Sequence, residues 1–233
     1  MLSIVLPCFN PPKNWELNVI QSIKSISEKI PHEKIELIIV NDGTTQNEFI
    51  HQYKSIESEI ELFQFIDNPQ NMGKGHAIRT GIQACSGDLI IYTDIDFPYT
   101  THSFLEIYQA ISHQLDVAVG VKDEKYYEKV PAFRRFISKT LRFIIGIFLR
   151  LPITDTQCGL KGLKKEFKPL FLSTTISRYL FDLEFVRICF RSKTKINIEA
   201  IPITLKDNIV FRSMNPKILV QELGNFMMIL LKS

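Results

Sequence analysis

The chain is predicted to fold as an α/β protein built on a doubly wound, mostly parallel sheet, and three observations predict it. Short apolar runs at Leu2 to Leu6, Ile35 to Val40, Leu62 to Ile66, Leu89 to Thr93 and Val117 to Val121 have strand length. Segments with helical periodicity separate them, and strands joined by helices pair in parallel with helices on both faces. The 233 residues, 45% hydrophobic and 23% charged, are enough for one large domain or two small ones and argue against disorder.

In chain order, the first strand meets Pro7, and Cys8-Phe9-Asn10-Pro11-Pro12 reads as a loop. Asn14 is expected to cap a helix from Trp15 to about Lys29, with Leu17, Ile20, Ile23 and Ile26 at helical spacing. Pro31 ends it. The second strand stops at Asn41-Asp42-Gly43, and Gln46 to Ser58 reads as a helix. After the third strand, Asn68-Pro69-Gln70-Asn71 is a loop, and a helix runs from about Gly75 to Cys85. The fourth strand leads into Asp94-Ile95-Asp96. Thr101 to Gln114 is a helix before the fifth strand, and Lys122 to Lys129 is a charged, tyrosine-bearing loop. Helices are expected at Phe133 to Leu149, Phe181 to Phe190 and Pro216 to about Leu231. Thr154 to Leu163 is polar and glycine-punctuated, and Asn208 to Ser213 is a loop. Ile196 to Leu205 alternates as a strand, and Pro202 marks it as an edge.

Composition excludes several classes. A net charge of +3 with no Lys/Arg block argues against nucleic acid. Cys8, Cys85, Cys158 and Cys189 are scattered, which suits reduced thiols in a cytosol rather than a zinc site. The start Met1 to Leu6 lacks a basic region and is cut by Pro7, unlike a signal peptide. The apolar runs Phe143 to Leu149 and Phe226 to Leu231 fall short of the ~20 residues a span needs, so any membrane contact is expected to be interfacial.

Function is expected where strands end, because open α/β sheets bind ligands at their carboxyl edge. Phe9-Asn10, Asn41-Asp42-Gly43 and Asp94-x-Asp96 would converge there. On an extended chain Asp94 and Asp96 share a face, and two carboxylates so placed suit Mg²⁺ or Mn²⁺. Taken alone, Asp-x-Asp also reads as a strand end with a plain turn. Gly73-Lys74-Gly75 opens a helix and lets backbone approach an anion, although no Ser or Thr follows the lysine as a P-loop requires.

The motifs together resemble the family 2 glycosyltransferases of GT-A fold, nearest to the dolichyl-phosphate mannose synthases and dolichyl-phosphate glucosyltransferases. Ile4-Val5-Leu6-Pro7-Cys8-Phe9-Asn10 is similar to V-I-P-x-Y-N, and Val40-Asn41-Asp42-Gly43-Thr44 to V-D-D-G-S. Asn71 to Gly81 is similar to N-x-G-K-G-x-A-x-R-x-G, and Gly87-Asp88 with Asp94-Ile95-Asp96 to G-D-x-I-x-x-x-D-A-D. Phe133 to Ser138 resembles the arginine-and-serine helix start, Asp155 to Lys161 resembles D-x-Q-C-G-F-K, and Phe181-Asp182-Leu183-Glu184 resembles F-D-x-E. Pro11, Asn41 and Pro98 stand where the family usually has Glu, Asp and, in many mannose synthases, Gln.

The resemblance implies an inverting, metal-dependent transferase that moves a hexose from a UDP-glucose or GDP-mannose type donor to a polyprenyl phosphate. It implies that Pro7, Phe9, Asn10 and Asp42 hold base and ribose and that Lys74 serves the donor. Asp94 would face the donor and Asp96 would bind Mg²⁺ or Mn²⁺, with diphosphate and water completing the shell. Arg134, Arg135, Ser138, Gln157, Lys161 and Arg212 would serve the diphosphate or acceptor. Glu184 and Asp182 are base candidates only if the acceptor is a sugar hydroxyl, as in an enzyme extending a surface glycan. A non-catalytic nucleotide-binding module is the third reading. Residues 1–210 would form the GT-A domain (about 1–122 for the nucleotide sugar, about 123–210 for the acceptor), and 211–233 a C-terminal helix. The cationic, apolar helix at Phe133 to Leu149 suits a membrane surface, as does the last helix, which equally suits a homodimer or membrane-protein contact. A cytoplasmic location, peripheral on the membrane's cytoplasmic face, is expected.

Overall fold

The structure, a computed structural model, describes residues 1–45, 49–122, 132–207 and 216–231, of which 49–51, 133–134 and 216–220 are described by backbone alone. The start of the helix expected from Gln46, the loop after Lys122 and the loop at Asn208 to Ser213 lie outside the described residues. The strands are β1 (Leu2–Cys8), β2 (Ile35–Asp42), β3 (Leu62–Asn68), β4 (Leu89–Tyr92), β5 (Val117–Lys122), β6 (Lys161–Lys164) and β7 (Ile198–Ile203). The helices are α1 (Trp15–Lys29), α2 (Phe49–Glu59), α3 (Lys74–Ala84), α4 (Thr101–His113), α5 (Ala132–Phe148), α6 (Lys168–Leu172), α7 (Phe181–Arg191) and α8 (Pro216–Leu231).

One seven-stranded sheet has the order β3-β2-β1-β4-β6-β5-β7. Every pairing is parallel except those of β6, which runs antiparallel to β4 and β5. The chain leaves β1 toward β2 and β3 and then returns to lay β4 on the other side of β1. That reversal creates a crevice beyond the carboxyl ends of β1 and β4. Pro202 sits in the edge strand β7, where its missing N–H faces no further strand.

The period-two pattern of the strands divides the core between the two faces. Leu2, Ile4, Leu6 and Cys8 pack with α1, α2 and α4, whereas Val5, Ile38 and Val40 pack with α3, α5, α7 and α8. Two local expectations are corrected. Asn14 adopts a left-handed conformation (φ 57°, ψ 27°) and makes no side-chain cap; asparagine tolerates that turn geometry better than most residues. Leu17 is exposed, and α1 instead buries Trp15, Val19, Ile23 and Ile26.

β6 overlaps the stretch read as polar and glycine-punctuated, where no strand was expected, and it stitches the parallel sheet to β5 and β7. Its Lys161 is fully buried. The ammonium lies 2.8 Å from Asp182 of α7 and donates to the Cys158 carbonyl at 2.5 Å. Tyr92 of β4 donates its hydroxyl to the same Asp182 carboxylate oxygen at 2.6 Å. Burial, followed by the charge of Asp182 and the bond to it, pushes the Tyr92 phenol well above its usual pKa. Lys161, expected to meet the acceptor, is therefore a core residue that joins β4, β6 and α7.

Replacing Lys161 with Met strands a buried carboxylate, so urea unfolding should show a loss of about 3–5 kcal/mol. Adding Asp182→Leu to Lys161→Met should recover most of that loss. A single-variant cost near zero would show that the pair does not join these elements.

Candidate active site

Three parallel strands deliver their carboxyl ends to the crevice. β1 ends in Phe9, which is 44% exposed, and Asn10, whose amide donates to Thr44 Oγ1 at 2.9 Å. β2 carries Asn41 and Asp42 within the strand, not in the turn their types suggested. Asn41 accepts from the Thr44 amide at 2.9 Å and donates to Asp67 at 2.7 Å, closing the loop after β2. Pro7 is half-buried beside them.

Asp42 is buried, and its two carboxylate oxygens accept from the backbone amides of Met72 and Gly73, each at 2.9 Å. Asn68 adds a third donor at 3.2 Å. Asp42, expected to contact base or ribose, here holds the loop that presents Lys74. Gly43, at φ +83°, is required there, since a Cβ would stand 2.5 Å from the Asn71 nitrogen.

Lys74 reaches Asp94, with Nζ 2.5 Å from Oδ1. Burial alone pulls this ammonium down, but the charges of Asp94 and Asp182 outweigh it, and the net pKa is raised. Lys74 therefore stays protonated across the physiological range. Gly159 underlies it: a Cβ there would fall 2.2 Å from Asp94 Oδ2 and 3.3 Å from Lys74 Nζ. The Gly159 amide donates to the Tyr99 hydroxyl at 3.0 Å, which fixes the loop against this carboxylate.

Asp94 to Phe97 is a turn, closed by the Phe97 amide donating to the Asp94 carbonyl at 3.0 Å. The extended alternation expected to align Asp94 with Asp96 is thus absent, and both residues lie in a turn instead. Asn18 of α1 donates to the Asp96 carbonyl at 2.6 Å. Lys206, which sequence reasoning passed over, comes to this turn because residues 204–206 run along 98–100, with the Lys206 amide donating to the Pro98 carbonyl at 2.9 Å. Burial lowers the Lys206 pKa, and the charge of Asp96 partly opposes that.

The glycines around Lys74 serve a different purpose from the anion cradle expected. The amides of Gly75 and His76 donate to the Ser177 carbonyl at 2.8 and 3.3 Å. A Cβ on Gly73 would lie 2.4 Å from that carbonyl oxygen, and one on Gly75 would lie 2.6 Å from the Ile176 oxygen. The start of α3 is thus occupied by the 174–178 loop. Arg79 secures the same loop through the Ile176 carbonyl at 2.6 Å and Thr174 Oγ1 at 3.3 Å.

The remaining carboxylates are also engaged. Glu184 accepts from the Thr175 and Ile176 amides, both at 2.8 Å, and from the Thr175 hydroxyl at 2.9 Å. Asp155, buried at the head of the Gly159 loop, accepts from the Lys122 amide at 2.8 Å and lies 4.0 Å from Arg142 of α5. Arg135 and Ser138 are half-buried on α5, and Gln157 donates to Thr156 Oγ1 at 3.3 Å. The Arg134 side chain and all of Arg212 lie outside the described residues. Among the described residues no three His, Cys, Asp or Glu side chains gather as a metal-binding group. Two carboxylates in one turn nevertheless fit Mg²⁺, which binds one or two carboxylates and takes its other ligands from phosphates and water.

The fold is shared with known proteins. Among solved structures, mannosyl-3-phosphoglycerate synthase from Rubrobacter xylanophilus superposes with a TM-score of 0.72 at 13% identity, covering 98% of this chain and 72% of that one. Glucosyl-3-phosphoglycerate synthase from Mycobacterium tuberculosis, crystallised with Mn²⁺ and UDP-glucose, gives 0.67 at 18% identity, covering 99% and 77%. These likenesses show a GT-A fold. Among curated relatives, the dolichyl-phosphate beta-glucosyltransferase ALG5A of Trichomonas vaginalis is 28% identical over 207 residues, covering 84% of this chain and 63% of the relative. The dolichyl-phosphate beta-glucosyltransferase of Saccharomyces cerevisiae is 27% identical over 223 residues, covering 87% and 66%. The chain thus spans a little under two thirds of the length of each of these relatives. The model named Glycosyl transferase family 2 matches residues 3–171, most of the chain, and this protein belongs to that family.

Proposed function

We propose that the protein is an inverting, metal-dependent hexosyltransferase that moves a sugar from a nucleotide-sugar donor to a polyprenyl phosphate. The observation that carries the reading is the Lys74–Asp94 pair beside the Asp96 turn, set at the sheet's reversal point. Similarity to dolichyl-phosphate beta-glucosyltransferases supports a glucose donor of UDP type over GDP-mannose. Pro7, Phe9 and Asn10 would line the base and ribose. Asp94, already paired with Lys74, would turn to the donor sugar, while Asp96 would hold Mg²⁺ or Mn²⁺. Such an ion, when bound, neutralises charge on the departing nucleoside diphosphate.

In the transfer, an acceptor phosphate oxygen bonds to the anomeric carbon as the carbon–oxygen bond to the diphosphate breaks. The diphosphate leaves with the electron pair, and the configuration inverts. A phosphate with its second pKa at ~6 is already largely ionised, so no base is required. That agrees with Asp182 and Glu184 being engaged within the fold. Extension of a glycan hydroxyl would need one of them released.

The acceptor's lipid brings the protein to a membrane. No helix among the described residues is long and apolar enough to cross one. α5 exposes Phe136, Phe143, Ile147 and Phe148, and α8 exposes Leu223, Met227 and Leu231. Exposed aromatics on a helix that also carries Arg135, Lys139 and Arg142 suit peripheral attachment to an anionic surface.

Incubation with labelled UDP-glucose, polyprenyl phosphate and Mg²⁺ should yield a lipid-linked sugar. Asp96→Asn should lower kcat roughly 10²–10³-fold, the cost of one electrostatic partner of a developing charge. No product and no donor hydrolysis with any nucleotide sugar would overturn the reading. Phe136→Asp combined with Phe143→Asp should weaken binding to phosphatidylserine vesicles by at least roughly 100-fold, since each buried phenylalanine contributes about 1.5–3 kcal/mol. Unchanged flotation would remove α5 from the attachment surface.

A further inference from the structure

We propose that the groove between the 175–178 loop and α8 receives the acceptor, a phosphate monoester on an apolar chain, and that Arg178 contacts its phosphate. The proposal rests on the transferase reading above. The groove holds about 350 Å³, within the range of small-ligand sites. Arg178, Ser177, Gln221 and Asn225 supply donors along it, and Met72 and Met228 supply an apolar wall. Thioether side chains are flexible and adapt to irregular apolar groups.

Arg178 differs from the arginine beneath it. Arg79 is bonded to Thr174, Ile176 and Ser177 and so fixes the loop. Arg178 is half-buried on that loop and has no hydrogen-bond or ion-pair partner among the described residues. A guanidinium presents a planar fork that matches two phosphate oxygens. The fixed loop beneath it reduces what is lost when a ligand is bound.

Position ties the groove to the reacting centre. A Cβ on Gly73 would lie 3.6 Å from Arg178 Cγ, so the groove wall rests on the residue preceding Lys74. The opposite wall is held in place by Glu222 of α8, which accepts from the Leu180 amide at 2.9 Å and the Tyr179 amide at 3.3 Å. Met228 in the groove is followed along α8 by exposed Leu231, so the apolar wall continues toward the surface proposed for membrane attachment.

Calorimetric titration of the full chain with farnesyl phosphate, inorganic phosphate and UDP-glucose separates the alternatives. Arg178→Gln should weaken farnesyl phosphate by at least about tenfold while leaving UDP-glucose within about twofold, as expected for loss of one charge-assisted contact. Met228→Glu, which places a like charge in the groove without touching Arg178, should weaken farnesyl phosphate similarly. Farnesyl phosphate should bind the wild type more tightly than inorganic phosphate. Unchanged farnesyl phosphate affinity in both variants overturns the proposal, as does an equal loss of UDP-glucose, which would assign Arg178 to the donor. Equal affinity for farnesyl and inorganic phosphate also overturns it, since the groove would then not read the chain. Arg178-dependent farnesyl phosphate binding with no sugar transfer would uphold the groove and sink the transferase reading. Transfer with an unchanged acceptor KM in Arg178→Gln would do the reverse.

Discussion

The buried contact of Lys161 with Asp182 is the constraint on which the two sides of the molecule depend. A lone ammonium or carboxylate at that depth would be costly, so each requires the other. Lys161 lies on β6, the antiparallel strand among those described, Asp182 at the start of α7, and Tyr92 on β4, the parallel strand next to it. The three together fix how the parallel half meets the strands beyond it. The consequence extends into the crevice, because the charge of Asp182 also helps keep Lys74 protonated. A structural ion pair thus sets the electrostatics of the neighbouring one.

Close approach at glycine is the second organising device. Gly73 and Gly75 admit the 174–178 loop against the start of α3, and Gly159 admits the Asp94 carboxylate against its own backbone. With the first amides of α3 donating to Ser177, the backbone there is not available to a phosphate. On the proposed reading, recognition of anionic groups falls to side-chain cations instead, Lys74 at the start of α3 and Arg178 on the 174–178 loop. Arginine and lysine at such positions act as a directional fork and a point charge respectively.

Most of the architecture was legible because apolar runs of period two and helical stripes of period 3.6 report burial directly. The strand-end clusters were legible for a related reason: a parallel sheet has one carboxyl edge, so residues distant in sequence must meet there. β6 was not, since Lys161-Gly162-Leu163-Lys164 shows no apolar alternation and hides its lysine in a tertiary ion pair. The roles of Asp42 and Glu184 were concealed in the same way. Their residue types match a ligand-binding reading, yet what each does depends on which backbone amides the fold brings to it. Asp94 and Asp96 were expected on an extended strand end, and the structure places them in a turn. Arg178 and Lys206 carry no pattern in the sequence and become visible only when the 174–178 loop and the segment after β7 return to the crevice.

The allocation of carboxylates bears on the class of chemistry. Asp42, Asp155, Asp182 and Glu184 are all engaged by backbone amides, hydroxyls or ammonium groups within the fold. A site organised to abstract a proton would place a carboxylate with a raised pKa within reach of the acceptor. Here the groups left facing the crevice are the paired turn carboxylates and a set of cations. Such a site has little to offer a neutral hydroxyl, which must lose a proton as it attacks. It suits two anionic reactants that must be held close together, where the barrier is lowered by neutralising and orienting charge. On the proposed reading, a phosphate acceptor meeting a nucleoside diphosphate donor is that case, and Lys74, Lys206 and Arg178 would offset their mutual repulsion.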